Sequence, residues 1–380
     1  MKKIFSIGLL ACIGAGLVSC GDSGSSSSTS TSTTGTFTAT GMMSSPRSMP
    51  TANLLENGQV LVAGGVGSSA TAVASADLYD PATRTFSATG SMTNPRYAAS
   101  SVRLLDGRIF VAGGEGVSGT GLDSVEIYNP SSGTWQVASN MSTPRVNPTA
   151  TLLNNGKVLV VGGYSYDSAC CALTSAEIYD PATGNFSPTG SMSTGRRNST
   201  ATLLNNGTVL IAGGYNGSNV DAPEIYDPST GKFSVTGSMG TPRRFPTANL
   251  LLDGKVLVLG GYGASDTVLS SASLYSSQTG TFSYTGSMNT PTGRQTSTLL
   301  IDGKVLVAGG YNPGTGQVLS SAELYDPITG TFSVTGSMTV PRWRHADVRL
   351  LNGDVLLVGG SSIGGNTGGA IASAETYSRK

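Results

Sequence analysis

A Gly-Gly pair closes a Val/Leu-rich run seven times, beginning at Gly64, Gly113, Gly162, Gly213, Gly260, Gly309 and Gly359. Seventeen residues ahead of each pair stands an arginine: Arg47, Arg96, Arg145, Arg196, Arg243 and Arg342, with Thr292 as the one exception. Asp77, Glu126, Glu177, Glu224 and Glu323 lie nineteen residues ahead of Arg96, Arg145, Arg196, Arg243 and Arg342, and Ser273 lies nineteen ahead of Thr292. Carboxylate and guanidinium are thus lost at one and the same step. A guanidinium fork meets a carboxylate in a geometrically specific way, so the spacing predicts that the acid of one repeat pairs with the arginine of the next. Glu375 would close the circle onto Arg47. The competing reading leaves the arginines free to meet a ligand.

The residues just after these arginines vary, as a rim serving one ligand should, whereas a frame repeats. They include Tyr97, Asn147, Arg197, Asn198, Arg244, Phe245, Arg294, Trp343, Arg344 and His345. The residues just after the Gly-Gly pairs are Tyr164, Tyr215, Tyr262 and Tyr311 in repeats three to six, against Val66, Glu115 and Ser361 elsewhere. Rings beside Arg and Asn suit a sugar, a peptide or an anionic glycan, and the same tyrosines could equally wedge between structural units. Glu115 is the one residue of that second set charged at neutral pH and the candidate acid for a carboxylate-and-arginine reaction; a solvated loop carboxylate is the competing explanation. Nucleophile elbows, phosphate loops and metal-ligand spacings are absent from the sequence, so no cofactor and no metal are expected.

These residues need a scaffold that repeats every 47 to 51 residues, the interval between successive Gly-Gly pairs. Each repeat reads as four strands. The first runs from Pro-Arg to Leu-Leu and turns at Asn-Gly or Asp-Gly, a pair that fits a two-residue type I′ hairpin. The second is continuously apolar, as in Val158-Leu159-Val160-Val161, which suits a strand covered on both faces. The third is typified by Ser175-Ala176-Glu177-Ile178-Tyr179 and stops at an Asp-Pro-x-Thr-Gly turn. The fourth opens on an aromatic residue seven positions after that Tyr: Phe86, Trp135, Phe186, Phe233, Phe282 and Phe332. No helical period appears after the N-terminal segment.

The Gly-Gly pair, the Tyr, the Trp or Phe and their spacing resemble kelch repeats over residues 35–380, and the variant resembles galactose-oxidase-like kelch proteins of bacteria. The resemblance implies an all-β, seven-bladed kelch-type β-propeller. The last repeat ends at Tyr377 without a fourth strand, while Gly35 to Gly41 form an orphan strand that supplies the missing aromatic, Phe37. That N-terminal strand is expected to complete the last blade and remove exposed sheet edges. Galactose oxidase itself needs a copper site of two histidines and two tyrosines, one of them thioether-linked to cysteine. This chain has one histidine, which argues against copper oxidase activity. Fold does not carry function. Some periplasmic kelch proteins are cofactor-free sugar mutarotases, so the resemblance leaves a mutarotase- or epimerase-like enzyme as the alternative to the favoured reading, a non-enzymatic envelope binding or assembly module for a glycan or protein partner.

Residues 1–19 have the layout of an export signal: Lys2 and Lys3 precede an apolar stretch from Ile4 to Val18. Leu17-Val18-Ser19-Cys20 resembles the lipobox of bacterial lipoproteins, which implies a diacylated Cys20 as mature N-terminus, and Gly21 in place of Asp favours the outer over the inner membrane. Residues 20–34 are almost entirely Ser, Thr and Gly and read as a flexible tether spanning roughly 20 Å. Without Lys2 and Lys3 the balance of 22 basic and 22 acidic residues becomes 20 against 22, which gives no reason to expect nucleic acid as a partner. Once Cys12 and Cys20 are set aside, only Cys170 and Cys171 remain, which is no disulfide framework; a vicinal disulfide or two inert thiols are expected there. The mature protein should sit on a membrane through its lipid alone, as a monomer. Replacing Cys20 with Ser should therefore release a soluble protein from the membrane fraction; retention of that variant would show a second anchor.

Overall fold

The computed structural model describes residues 34–166, 172–365 and 368–379. The expected signal, lipidated Cys20 and tether, and the Cys170-Cys171 pair, lie outside the described residues. Seven four-stranded antiparallel sheets are present among those residues. Blade one runs through Thr51–Leu54, Val60–Ala63, Ala76–Asp80 and Thr85–Thr89, and the next five blades repeat this order. Blade seven has Ala346–Arg349, Val355–Val358 and Ser373–Ser378 from the C-terminal repeat, and its fourth strand is the N-terminal Thr36–Met42. Thr36 pairs with Ser378 and Phe37 with Tyr377, whose rings stand 4.9 Å apart. The first strands of neighbouring blades touch one another around a closed ring, including blade seven against blade one. The chain is an all-β seven-bladed propeller closed by its N-terminal strand.

The second strands are buried along their whole length in every blade because their two faces serve different interfaces. Val60 and Val62 pack towards blade seven, while Leu61 and Ala63 pack towards blade two. Hydrophobic clusters of this kind fill the seven gaps between blades, each including one methionine: Met43, Met92, Met141, Met192, Met239, Met288 or Met338. An unbranched thioether fills an irregular wedge between twisted sheets well. On the outside, the third-strand tyrosine meets a threonine of the preceding blade, as in Tyr79 with Thr40 at 2.9 Å and Tyr128 with Thr89 at 2.7 Å.

The turn between first and second strands differs from the two-residue type I′ form that the Asn-Gly and Asp-Gly pairs suggest. In blade one the Gly58 N–H donates to Leu55 O at 3.1 Å and Leu55 N–H to Gln59 O at 2.8 Å, and only Gly58 has positive φ (84°). This is a three-residue loop, a type I turn followed by a glycine bulge. Asn57 stays out of the left-handed region because its Oδ1 accepts from Gln59 N–H, at 3.0 Å.

The carboxylates and arginines do pair, but within blades rather than between them. Arg47 meets Asp77 at 2.7 Å, Arg96 meets Glu126 at 2.9 Å, Arg145 meets Glu177 at 3.0 Å, Arg196 meets Glu224 at 2.7 Å and Arg342 meets Glu375 at 2.7 Å. The expected nineteen-residue pairs, including Glu375 with Arg47, are therefore incorrect. The real partners are separated by 28 to 33 residues, across the loop of variable length after Gly-Gly. The constant spacing reflects only the fixed length of the path from third strand to next first strand. The apparent joint loss is two single losses in adjacent blades. Arg243 of blade five faces Ser273 and donates to the carbonyls of Gly260 and Ser271, each at 2.9 Å. Glu323 of blade six, opposite Thr292, accepts instead from Asn289 N–H and Nδ2 and from Thr290 N–H.

Each of these arginines also ties two blades together. The Arg96 carbonyl accepts from Gly65 N–H of the preceding blade at 2.8 Å, while its Nη1 donates to Gly113 O of its own blade at 2.9 Å. A Cβ on Gly64 would stand 2.5 Å from the Arg96 carbonyl, so the approach requires glycine. Stability measurements on double-mutant cycles decide between the two pairings. Glu126→Ala should cost about 3–5 kcal/mol, because it leaves a buried guanidinium uncompensated. Glu126 and Arg96 should couple by more than about 1 kcal/mol, and Glu126 and Arg145 by less than about 0.5 kcal/mol; the reverse order would restore the inter-blade ladder.

Candidate binding site at the propeller mouth

The chain enters every blade through the same four positions, beginning at the buried arginine or at Thr292. The next residue forms an isolated antiparallel bridge to the residue after Gly-Gly: Ser48 with Val66, Tyr97 with Glu115, Val146 with Tyr164, Arg197 with Tyr215, Arg244 with Tyr262, Gly293 with Tyr311 and Trp343 with Ser361. The residue after that is Met49, Ala98, Asn147, Asn198, Phe245, Arg294 or Arg344, and all seven have φ between 51 and 57°. Seven of the eleven non-glycine residues with positive φ among the described residues are therefore these. The bend lets Met49 N–H reach Arg344 O (2.8 Å), Asn147 N–H reach Ala98 O (3.0 Å) and Phe245 N–H reach Asn198 O (3.0 Å), passing the connection from blade to blade.

A side chain in the left-handed region costs roughly 1–2 kcal/mol relative to the right-handed one. Met49, Asn147 and Phe245 also precede a proline, which further disfavours helical backbone. The sequence uses glycine freely where positive φ is needed elsewhere, for instance at Gly58 and Gly64. At the mouth it keeps seven side chains instead, and strain of this kind gathers at functional sites.

The seven side chains and their successors line one cavity of about 280 Å³ on the propeller axis. Its wall carries Arg294, Arg344, Asn147, Asn198, Gln295 and His345 beside Met49, Phe245 and three prolines, and none of its fourteen lining residues is a carboxylate. Arg294 lies under Phe245, its Cζ 3.7 Å from the ring centroid and 5.5 Å from that of Trp343. Arg344 stacks on Trp343 at 4.0 Å. Burial, with Arg344 next in effect, pulls the Arg294 pKa down to about 9, so it stays cationic at neutral pH. The described ion pairs give Arg294 no carboxylate.

Around the cavity runs an arc of alternating rings and cations. Arg197 sits over Tyr164 at 4.6 Å and Tyr215 at 5.4 Å, and Arg244 over Tyr215 at 5.1 Å and Tyr262 at 5.6 Å. The arc continues through Phe245, edge-on to Tyr262 at 6.2 Å, and through Tyr311 against Trp343 at 4.8 Å. Contacts of this type contribute ~0.5–1 kcal/mol each when exposed and more when desolvated. Asp266 pairs with Arg244 outside the cavity lining. Tyr262 is buried, and its hydroxyl donates to Tyr311 O of the next blade at 3.2 Å, so this tyrosine does wedge between blades; Tyr164, Tyr215 and Tyr311 keep part of their surface exposed.

Glu115 stands apart from the cavity wall. Burial, then the Glu115 carboxylate, raises the Tyr97 pKa, and burial, then Tyr164 and Glu115, raises that of Tyr166. Beneath the mouth, His345 Nε2 lies 2.9 Å from Thr296 Oγ1 of blade six, and Thr298 Oγ1 donates to Asp347. Burial, then Arg342, lowers the His345 pKa and keeps its ring neutral at physiological pH, and burial raises that of Asp347.

The sequence-derived candidates fall into two tiers. Asn147, Asn198, Phe245, Arg294, Arg344 and His345 line the cavity, while Tyr97, Arg197, Arg244, Trp343, Tyr164, Tyr215, Tyr262 and Tyr311 form the surrounding arc. Met49, Ala98 and Gln295 were missed. The first two stand two residues after an arginine, the column that already held Asn147 and Arg344, so completing that column would have found them.

These sheets define a seven-bladed propeller with a cavity at its mouth. Kelch motifs match residues 96–142, 145–193, 196–240 and 293–339. The chain is a kelch-repeat β-propeller. Among solved structures it is similar to a novel fungal alcohol oxidase of the AA5 family in complex with copper, with a TM-score of 0.72 and 20% identity over 91% of this chain and 76% of that one. At that identity the likeness is one of fold. No curated protein matches the chain. The copper of that oxidase finds no fitting donor set here: His345 is the chain's one histidine, and no three His, Cys, Asp or Glu gather among the described residues.

If the seven bends are strained for the sake of their side chains, Ala98→Gly, which removes only a methyl, should stabilise the fold by up to about 1 kcal/mol. A lower denaturant midpoint for that variant would show that the bends are not strained.

Proposed function

We propose that this protein is a binding module that takes a glycan at the propeller mouth. The observation that carries this reading is a concave polar cavity without any carboxylate, ringed by arginines stacked on aromatic faces. At about 280 Å³ the cavity is at the lower end of ligand sites, which run from ~300 to 1,000 Å³, and suits one sugar residue with the arc holding its neighbours. A flat, dry face would have favoured a protein partner. The mutarotase-like alternative rests on Glu115 as acid or base. A general acid or base must reach the reacting proton directly or through one water, and Glu115 lies outside the cavity lining.

Cys20 as lipid attachment would set the display. Thr36 lies level with Ser378, at the end of the blades that carries the Asn-Gly and Asp-Gly turns, opposite the mouth. The chain would thus enter the propeller at the end opposite the mouth.

A glycan array probed with the wild-type protein and with an Arg197→Gln/Arg244→Gln variant tests the reading. A defined subset of glycans should be retained, and the variant should lose at least tenfold in affinity for it. Absence of any retained glycan would overturn the proposal, and acceleration of sugar mutarotation followed by NMR would favour the enzyme.

A further inference from the structure

We infer that the mouth reads its sugar through two hydrogen-bond acceptors, His345 Nδ1 and Gln295 Oε1, each taking the proton of a sugar hydroxyl, and that Thr296 and Asp347 are positioning residues which hold His345 in the Nε2–H tautomer. This deepens the glycan reading and depends on it for the ligand. The third residue after the entry arginine, or after Thr292, is Pro, Ala or Ser in blades one to five, but Gln295 in blade six and His345 in blade seven. Both line the cavity. Gln295 is 4% exposed and His345 7%, yet Gln295 Oε1 and His345 Nδ1 have no partner among the described residues. Buried polar atoms left in this state are costly. The Gln295 amide is oriented by its Nε2, which donates to Leu259 O at 3.2 Å; turned over, it would set oxygen against oxygen, so Oε1 is the end left for a ligand.

The tautomer of His345 follows from a hydroxyl that leaves its usual place. In blades one, three and four the threonine that opens the first strand donates to a carbonyl of its own second strand, Thr51 to Ala63 O at 3.2 Å, Thr149 to Val161 O at 3.5 Å and Thr200 to Ala212 O at 3.4 Å. Thr296 of blade six turns instead to blade seven, where its Oγ1 lies 2.9 Å from His345 Nε2 and its hydroxyl bonds the Asp347 side chain. Asp347 stands where the other six blades have Ala or Ser, and Thr298 donates to it as well. Burial raises the Asp347 pKa, and the Thr298 and Thr296 hydroxyls oppose that by stabilising the ionised form. A carboxylate only accepts, so the Thr296 proton goes to Asp347 and its oxygen accepts from His345 Nε2–H. In a neutral imidazole one nitrogen donates and the other accepts, which leaves Nδ1 a bare acceptor. A sugar hydroxyl supplies the proton that this nitrogen and Gln295 Oε1 both lack.

His345 is the chain's one histidine, so NMR of the ring nitrogens in the untagged full chain at neutral pH reads its tautomer without a ligand. The wild type should show a protonated Nε2 and an unprotonated Nδ1, Thr296→Val should abolish that preference, and Thr296→Ser should restore it. Titrations with hexoses and their monodeoxy derivatives test the recognition. For a hexose that binds, loss of either of two hydroxyls should weaken binding about tenfold or more, as in a site built to hydrogen-bond them. For one of the two, Thr296→Val should shrink that penalty to less than about threefold and Thr296→Ser should keep it. A protonated Nδ1 in the free wild type, or a tautomer indifferent to Thr296→Val, would overturn the relay. Monodeoxy sugars that all bind as tightly as their parents would overturn the two acceptors and leave the glycan proposal standing. Failure of every hexose to bind, with the tautomer as expected, would overturn the glycan proposal and leave the relay.

Discussion

A buried guanidinium at the start of six of the seven blades, with Thr292 in its place in blade six, is the contact on which the rest of the propeller depends. Its carbonyl accepts from the second glycine of the preceding blade, its Nη1 donates to the first glycine of its own blade, and its Nη2 meets the third-strand carboxylate, as Arg96 does with Gly65, Gly113 and Glu126. The first glycine of the preceding pair is required because a Cβ there would collide with that carbonyl, as at Gly64 against Arg96, and a Cβ on the second, Gly65, would meet Ser48 O. A buried ion pair says more about register than about net stability, and register is what a ring of seven similar blades needs most. Blades five and six show how much the frame tolerates: Arg243 does without its acid by using carbonyls, and Glu323 does without its arginine by using N–H donors.

Fixing the backbone at that arginine also fixes the two residues after it. The bridge residue is pinned to the residue following Gly-Gly, and the next is forced into the left-handed region with its side chain beside the axis. Seven equivalent positions thus converge on one cavity, and the sequence varies there because the frame makes no demand on side-chain type. Met49 and Ala98 leave one flank small and apolar, while Asn147, Asn198, Phe245, Arg294 and Arg344 make the rest polar and cationic. Function is written in the departures from sevenfold symmetry.

The repeats, the four strands and the closing N-terminal strand were legible because glycine, proline and the aromatic residues mark turns and strand starts at fixed offsets. The partners of the arginines were not. The true pairs span a loop of variable length, so they show no constant spacing, whereas the false pairs span a connection of fixed length. Likewise Asn-Gly fits two hairpin geometries, and the choice was made by a side-chain bond from Asn57 that spacing does not display. Most cavity residues were readable as variable positions after a repeated arginine. Their unusual backbone was not, since Met49, Ala98 and Phe245 are residue types that ordinarily avoid positive φ.

The central claim, that a sevenfold frame gathers arginines and aromatic rings at the axis to hold a glycan, is open to one direct measurement. A crystal structure of the protein grown with a glycan that the array retains should show a sugar ring on the axis at the mouth, in contact with the Arg294 guanidinium and the Phe245 ring. Density for the sugar on the opposite, turn-bearing face would contradict the account.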